Sequence, residues 1–485
     1  MATISSALGL ISQALEANQS ALSVIANNVA NANTPGYTRE VPNFQENPPI
    51  VINGIAYGAG VAATGATSIR DSVLAKRLAQ QQQLAATSNS RLTALNTLQA
   101  LFTPASGSSG PAAGDIGGDI TSFFNSFAAL ESSPTSSALR QQVLSTATTL
   151  AGDVSNAAAS MNAQRTALDQ EAAGVVNQVN TLTSAIANLN KQIQSTAPAG
   201  DAGALQDQRQ QDIAQLAQIV GIHQVTTENN GLSITTMSGQ LLVSQGASVQ
   251  LTTGTIGGVT HFFAGGNDLT AGLTGGGGSL GGYLLARDQD VPSTLSSLDQ
   301  LAYSISTSVN AANNAGTDLN GVQGTGTNAA GVTGTGAAPL YLFNEPAAGT
   351  VAGSAANMRV VMTDPNQIAA AGLGSGTGDN ANAVAMASLA TQSIVIGQSP
   401  SNFYAQFVSQ LGSIVSETQT ENTAQNASVT QLQNQMNALS SVNLNDEAAS
   451  MQQFERSYQA ASEVFTILNT VISSALNLGV QTAVA

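Results

Sequence analysis

The sequence predicts a mainly α protein with an inserted β domain, its domains nested and discontinuous. Three observations carry that reading. Heptad-spaced apolar residues occupy both ends of the chain, and helical periods fill most of what lies between them. Only across about 222–285 does the texture change, to short Val/Ile/Leu/Thr runs broken by Asn-Gly, Ser-Gly and Gly-Gly.

The first helix is read from Ile4, Leu8, Ile11, Leu15, Leu22, Ile25 and Val29, spaced by fours and threes with Asn18 in the one polar slot. Such spacing lays one narrow apolar seam along a helix. Met451, Phe454, Tyr458, Ala461, Phe465, Leu468, Ile472 and Ala475 repeat the pattern near the other end. A seam needs a partner, and the expected partner of each end is the other, giving paired N- and C-terminal coiled-coil helices. Both seams are weak. Their flanks are Ser, Asn, Gln, Ala and Thr, and Glu16 is the only charge before Arg39, so the ion pairs that usually select a two-stranded partner are missing. Burying these few aliphatics returns less than the entropy of ordering the segment. The ends are therefore expected to be disordered in a free subunit and to fold when many subunits come together. The alternative is an ordinary intramolecular helix pair.

Inside the ends the elements follow in order. Asn33-Thr34-Pro35-Gly36-Tyr37-Thr38-Arg39 is a turn that stops the first helix. Ile50-Val51-Ile52, Asn53-Gly54 and Ile55 to Val61 read as a hairpin. Helical period returns from Ser68 to Phe102, with Val73, Leu78, Leu84, Leu92, Leu95 and Leu98, and a Gly/Ser/Pro break covers 103–118. A helix near 119–131 is followed by a Pro-free pattern over 135–196, expected as one rod-like helix of roughly 90 Å. Another helix covers 203–220, then the small β domain, then a helix at 291–314. Residues 315–380 are Gly/Thr/Ala-rich, with strand-like Leu340–Phe343 and Met358–Val361. Helices resume at 381 and run to the end, with a break at Ser399-Pro400. The expected domain map is a terminal coiled-coil domain (1–45 with 445–485), a long-helix rod domain (46–220 with 286–314 and 376–444) and a β-rich outer domain (221–285 with 315–375).

Composition narrows the function. Charged residues are 8% of the 485 and the net charge is −16, with Lys76 and Lys191 the only lysines. No basic stripe exists to follow a phosphate backbone or an anionic membrane, so nucleic acid is not an expected partner. The absence of cysteine excludes disulfides and thiol chemistry and favours export. The first twenty residues lack the basic start and continuous apolar core of a cleaved signal peptide, and no apolar run is long enough for membrane insertion.

No catalytic, metal or cofactor site is assembled by the sequence, and an enzyme is not expected. Gly58-Ala59-Gly60-Val61-Ala62-Ala63 meets the letter of a dinucleotide fingerprint without its βαβ context and reads as turn backbone. Gly265-Gly266-Asn267-Asp268 lacks the period of a calcium repeat and reads as a β-turn. His223 and His261 have no carboxylate cluster near them in sequence and read as structural. Asp446-Glu447 suits the N-terminal dipole of the last helix, with Asn443 or Asn445 as its cap.

Ala26-Asn27-Asn28-Val29-Ala30-Asn31-Ala32-Asn33-Thr34-Pro35-Gly36-Tyr37-Thr38-Arg39 resembles the N-terminal signature of the bacterial flagellar axial proteins, the rod, hook and hook-associated family. Val442 to Ala449, with Phe454, Tyr458-Gln459-Ala460 and Leu468-Asn469, is similar to the family's C-terminal signature. Within the family, Thr-Pro-Gly-Tyr-Thr-Arg, Leu205-Gln206-Asp207-Gln208-Arg209 and Gly378 to Ala383 look like members at the hook–filament junction rather than hook or distal rod subunits. The resemblance implies an extracellular structural subunit, exported unfolded by the flagellar type III apparatus and assembled as a short tubular ring. Its implied partners are copies of itself, the hook protein, the next hook-associated protein and an export chaperone. The two seams, with Asn27, Asn28, Asn31, Pro35, Gly36 and Tyr37, would be the assembly interface, the asparagines bonding between helices. The chaperone would cover Phe454, Tyr458, Phe465 and Leu468. Readings left open are a hook or distal rod subunit, a secreted adhesin using the β domain and, last, a peptidoglycan hydrolase.

Overall fold

A computed structural model describes residues 2–52, 55–102, 115–196, 202–226, 231–346 and 349–481. Helix α1 (Ala2–Asn31) ends where the Thr-Pro-Gly turn takes over, with Gly36 at φ +79°. Strands β1 (Glu40–Glu46) and β4 (Val61–Ser68) form an antiparallel ribbon with a register shift at Asn43/Phe44, and β2 (Ile50–Ile52) and β3 (Ile55–Tyr57) pair beyond it. The expected hairpin is therefore only the outer part of a longer ribbon: its second strand stops at Tyr57, and Val61 pairs with Glu46. The Asn53-Gly54 turn lies outside the described residues.

Helix α2 (Ser72–Ala100) starts at Asp71, whose carboxylate accepts from the Val73 and Leu74 N–H groups. Asp115 and Ser136 cap α3 (Ile116–Ser132) and α4 (Ser137–Gly174) in the same way. The single helix expected over 135–196 is interrupted at Val175, and α5 (Val176–Thr196) continues from there. Most of the buried face of α4 belongs to one core and that of α5 to another, so the two need not share one straight axis.

After α6 (Gly203–Ile219) come two antiparallel sheets. One is β5 (Ile222–Thr226), β6 (Leu232–Thr236), β7 (Leu241–Ser244) and β8 (Ala247–Ser248) in that order. The other places β10 (Val259–Ala264) between β9 (Leu251–Ile256) and β11 (Asn267–Asp268). Gly265 and Gly266 make the expected turn, both at positive φ. The short α7 (Thr270–Leu273) leads to α8 (Gly278–Leu285), a helix inside the stretch read as β. Gly282 lets this helix pack closely: a Cβ there would lie 2.5 Å from the Thr87 carbonyl oxygen of α2. A π-helical turn, Ala286–Asp290, joins α8 to α9 (Val291–Asn314).

Among the described residues of 315–375, β12 (Gly316–Thr317), paired with β13 (Ala371–Gly372), and α10 (Ser354–Asn357) are the only regular elements beyond one 3-10 turn. They do not join the β sheets as expected. Leu342, Phe343, Met358 and Ile368 enter a core shared with α3, α4 and α9, where Phe343 meets Phe123 at 5.6 Å between ring centroids. Asn310 of α9 holds the segment, donating to the Phe343 carbonyl and accepting from the Leu342 and Phe343 N–H groups. Helix α11 (Ala381–Ser388) closes that core, and α12 (Pro400–Ser440) begins at the predicted break with Ser399 as cap and Pro400 in its first turn. Helix α13 (Leu444–Gln481) lies against α1. Among the described residues no helix is long and apolar enough to cross a membrane.

Candidate assembly site

The two chain ends meet the rest of the molecule at one buried polar clamp, built on the turn after α1. Asn28 is 1% exposed and fully engaged. Its amide nitrogen donates to the Glu40 carbonyl (2.8 Å) and to Glu447 Oε2 (3.1 Å). Its Oδ1 accepts from the Tyr37 hydroxyl (2.8 Å) and the Glu40 N–H (2.9 Å). Glu447, in the first turn of α13, has a side chain 1% exposed and pairs through Oε1 with Arg39 Nε at 2.6 Å. The Arg39 N–H donates to the carbonyl of Ser440 at the end of α12. Three segments far apart in sequence are thus tied by charge-assisted bonds that leave no polar atom of Asn28 idle.

The other side of the turn is fastened to α6. Asp207 accepts from the Thr38 N–H (2.9 Å) and hydroxyl (2.5 Å) and pairs with Arg70 at 2.9 Å. Gln211 donates to the Pro35 carbonyl at 2.6 Å, and Gly36 lies against that glutamine side chain. Burial, reinforced by Glu40, Asp207 and Glu447, pushes the Tyr37 hydroxyl up to about 12, so it remains a neutral donor.

The apolar seams are less closed. On α13, Met451, Phe454, Phe465, Leu468 and Ile472 are half-buried, while Tyr458 is exposed. On α1, Leu8, Ile11, Leu15 and Leu22 are half-buried, Ile25 is buried and Val29 is exposed; the Ile4 side chain lies outside the described residues. The fully buried apolar positions of α1 are instead Ala17, Ala21 and Ile25, because α1 also carries the β1–β4 ribbon as well as α13. Small residues let the ribbon approach, and Phe44 of β1 reaches Phe454 at 6.1 Å between centroids. The asparagines behave differently from expectation. Asn31 bonds back to Asn27 within α1 at an exposed site, and only Asn28 reaches α13.

Sequence reasoning passed over Arg39, Glu447, Asp207 and Arg70 as site residues. The available signal was scarcity: in a chain with 8% charged residues, an arginine inside the turn motif and a glutamate opening the last helix are natural partners. The helix dipole alone does not account for Glu447. Elsewhere His261 pairs with Asp268 (2.7 Å) at a sheet edge, and Thr270 together with His261 draws the Asp268 carboxyl down to about 2. No group of three or more His, Cys, Asp and Glu suited to a metal occurs among the described residues.

Paired end helices locked by this turn, a nested helical body and inserted sheets are the features to set beside known proteins. The family described as "Flagellar hook-associated protein FlgK helical domain" matches residues 108–328, and "Flagella basal body rod protein" matches residues 12–38. Flagellar hook-associated protein 1 of Escherichia coli (strain K12) is 26% identical, the match covering 96% of this chain and 98% of that one. The same-named protein of Bacillus subtilis (strain 168) is also 26% identical, covering 96% of each chain. In fold, the flagellar hook junction protein FlgK from Burkholderia pseudomallei matches with a TM-score of 0.62 at 19% identity, over 74% of this chain and 99% of that one. The chain belongs to the flagellar hook-associated protein 1 family and is a structural junction protein of the bacterial flagellum.

Proposed function

We propose that the terminal unit, 1–45 with 445–485, is the assembly domain, and that it builds the wall of a short tube between hook and filament. The observation that carries this is a second apolar stripe on α13. Val464, Ile467 and Val471 are spaced for one helix face and exposed, Ile467 by 61%, while the seam toward α1 uses Phe465, Leu468 and Ile472. One partner helix covers one stripe; two stripes need a bundle of several chains. The neighbours are copies of this chain, the hook protein on one side and the next hook-associated protein on the other. The role is structural rather than catalytic, and its place is outside the cell.

Weak end helices, the first with Glu16 as its single charge, also suit export in an unfolded state through the flagellar type III apparatus. A chaperone gripping Phe454, Tyr458, Phe465 and Leu468 would protect the α13 seam beforehand. Deleting residues 1–40 tests the assignment. The truncated chain should keep its helical and β bodies by circular dichroism and lose the ability to polymerise. Tubes formed by the truncated chain would refute it.

A further inference from the structure

The β2 and β3 strands present an apolar surface that nothing covers among the described residues. Ile50, Val51, Ile55 and Tyr57 are all exposed, Val51 by 66%, on a two-stranded ribbon that is marginal without cover. Pro48 and Pro49 precede it and each strand is only three residues long, so the tip is suited to inserting side chains rather than adding a strand. The molecule also carries an open groove of about 470 Å³ between the start of α2 and the end of α12. Val73, Leu74, Leu439 and Arg77 are among its lining residues, with Leu74 buried and Val73 and Leu439 largely exposed.

Charges match as well as shape. Glu46 lies just before the two prolines and Arg77 one helical turn beyond Val73, and both are exposed. Among the described residues neither has an ion-pair partner. Asp71, which also lines the groove, is occupied by the N–H groups of Val73 and Leu74.

The two surfaces cannot meet within one chain. The ribbon leaves the clamp at Glu40, beside Asn28, and runs back along α1, so that Asn47 bonds Gln13 at 2.8 Å and Gly60 lies against Leu10. Its tip is about 35–40 Å from its base at the usual strand rise. The groove sits at that base, because Ser68 closes the ribbon and Ser440 bonds Arg39. Resting on the self-assembly proposed above, we infer that the β2–β3 tip of one copy inserts into the Val73/Leu439 groove of a neighbouring copy, with Glu46 pairing to that copy's Arg77. A tip and a groove on different faces make a head-to-tail contact, which propagates a ring or helix and does not close as a dimer.

Cross-linking tests the contact cleanly because the chain has no cysteine of its own. Full-length V51C and L439C chains are mixed, polymerised in concentrated sulfate and treated with a short bis-maleimide. The mixed product should dominate over either homodimer. E46R on the V51C chain should lower it at least tenfold, and R77E on the L439C chain should restore it, whereas R77E on the V51C chain should not. A mixed product no more abundant than the homodimers, or one indifferent to the charge exchange, overturns the inference. If tubes still form in that sample, only the tip–groove contact falls; if none form, the assembly reading falls with it.

Discussion

The clamp makes an asymmetric prediction about its two charged partners. Replacing Arg39 by alanine leaves the Glu447 carboxylate inside, 1% exposed, with only the Asn28 amide as donor. Stranding one member of a buried pair costs about 3–5 kcal/mol, and the retained Asn28 bond places this site near the lower end. Replacing Glu447 instead leaves a guanidinium that is 29% exposed and can turn to water, while Asn28 keeps the Glu40 carbonyl. That change is expected to cost about 1–2 kcal/mol. Hydrogen exchange of amides in 38–48 and 443–450 reads both. Arg39→Ala should speed opening by roughly a hundredfold and Glu447→Ala by roughly five- to thirtyfold, with clear coupling in the double variant. Equal effects, or effects that simply add, would refute the buried pair as the tie between the chain ends.

Three further outcomes follow from other parts of the molecule. Burial, then the neighbouring Asp153 carboxyl and Asp115, pushes Asp119 up to about 7. An acid raised on folding stabilises most below its unfolded pKa and loses that contribution as pH rises through the folded one. Melting temperature should therefore fall between about pH 4 and 7, and Asp119→Asn should flatten that slope and raise the melting temperature at pH 8. Phe343→Ala, although it lies in the loop-like 315–375 segment, should cost about 3–5 kcal/mol in urea unfolding of the helical core, since its ring is fully buried against Phe123. Gly36→Ala should destabilise by about 1–2 kcal/mol, measured the same way, because φ +79° is a left-handed conformation that a Cβ opposes.

Much of the fold was legible because it rests on local rules. Ser399-Pro400 and the Thr-Pro-Gly turn mark helix ends, and period alone locates α2, α6, α9 and the end helices. What escaped depends on contacts distant in sequence. The break at Val175 follows Gly174, a residue at which a helix readily ends, and coincides with a division between two cores that only the folded chain shows. The 315–375 segment was grouped by its Gly- and Thr-rich texture, whereas Asn310 and the phenylalanines assign it to the helical body. At the candidate site, period locates the apolar residues of α13, of which Tyr458 stands exposed, whereas on α1 Ala17 and Ala21 are invisible to a search for large apolar residues. The Arg39–Glu447 pair spans 408 positions, so the scarcity of charge is the only hint of it before folding brings the chain ends together.

The central claim is that the end helices complete their packing only among many copies. No residue of α13 from 448 to 475 is fully buried, and large apolar side chains on it stay open to solvent. Hydrogen exchange on the purified full-length monomer and on its polymer tests this most directly, comparing 8–24 and 451–472 with the core helix at 137–168. The account predicts fast exchange of both seam segments in the monomer and core-like protection in the polymer. Seam segments as protected as the core in the monomer, and unchanged on assembly, would contradict it.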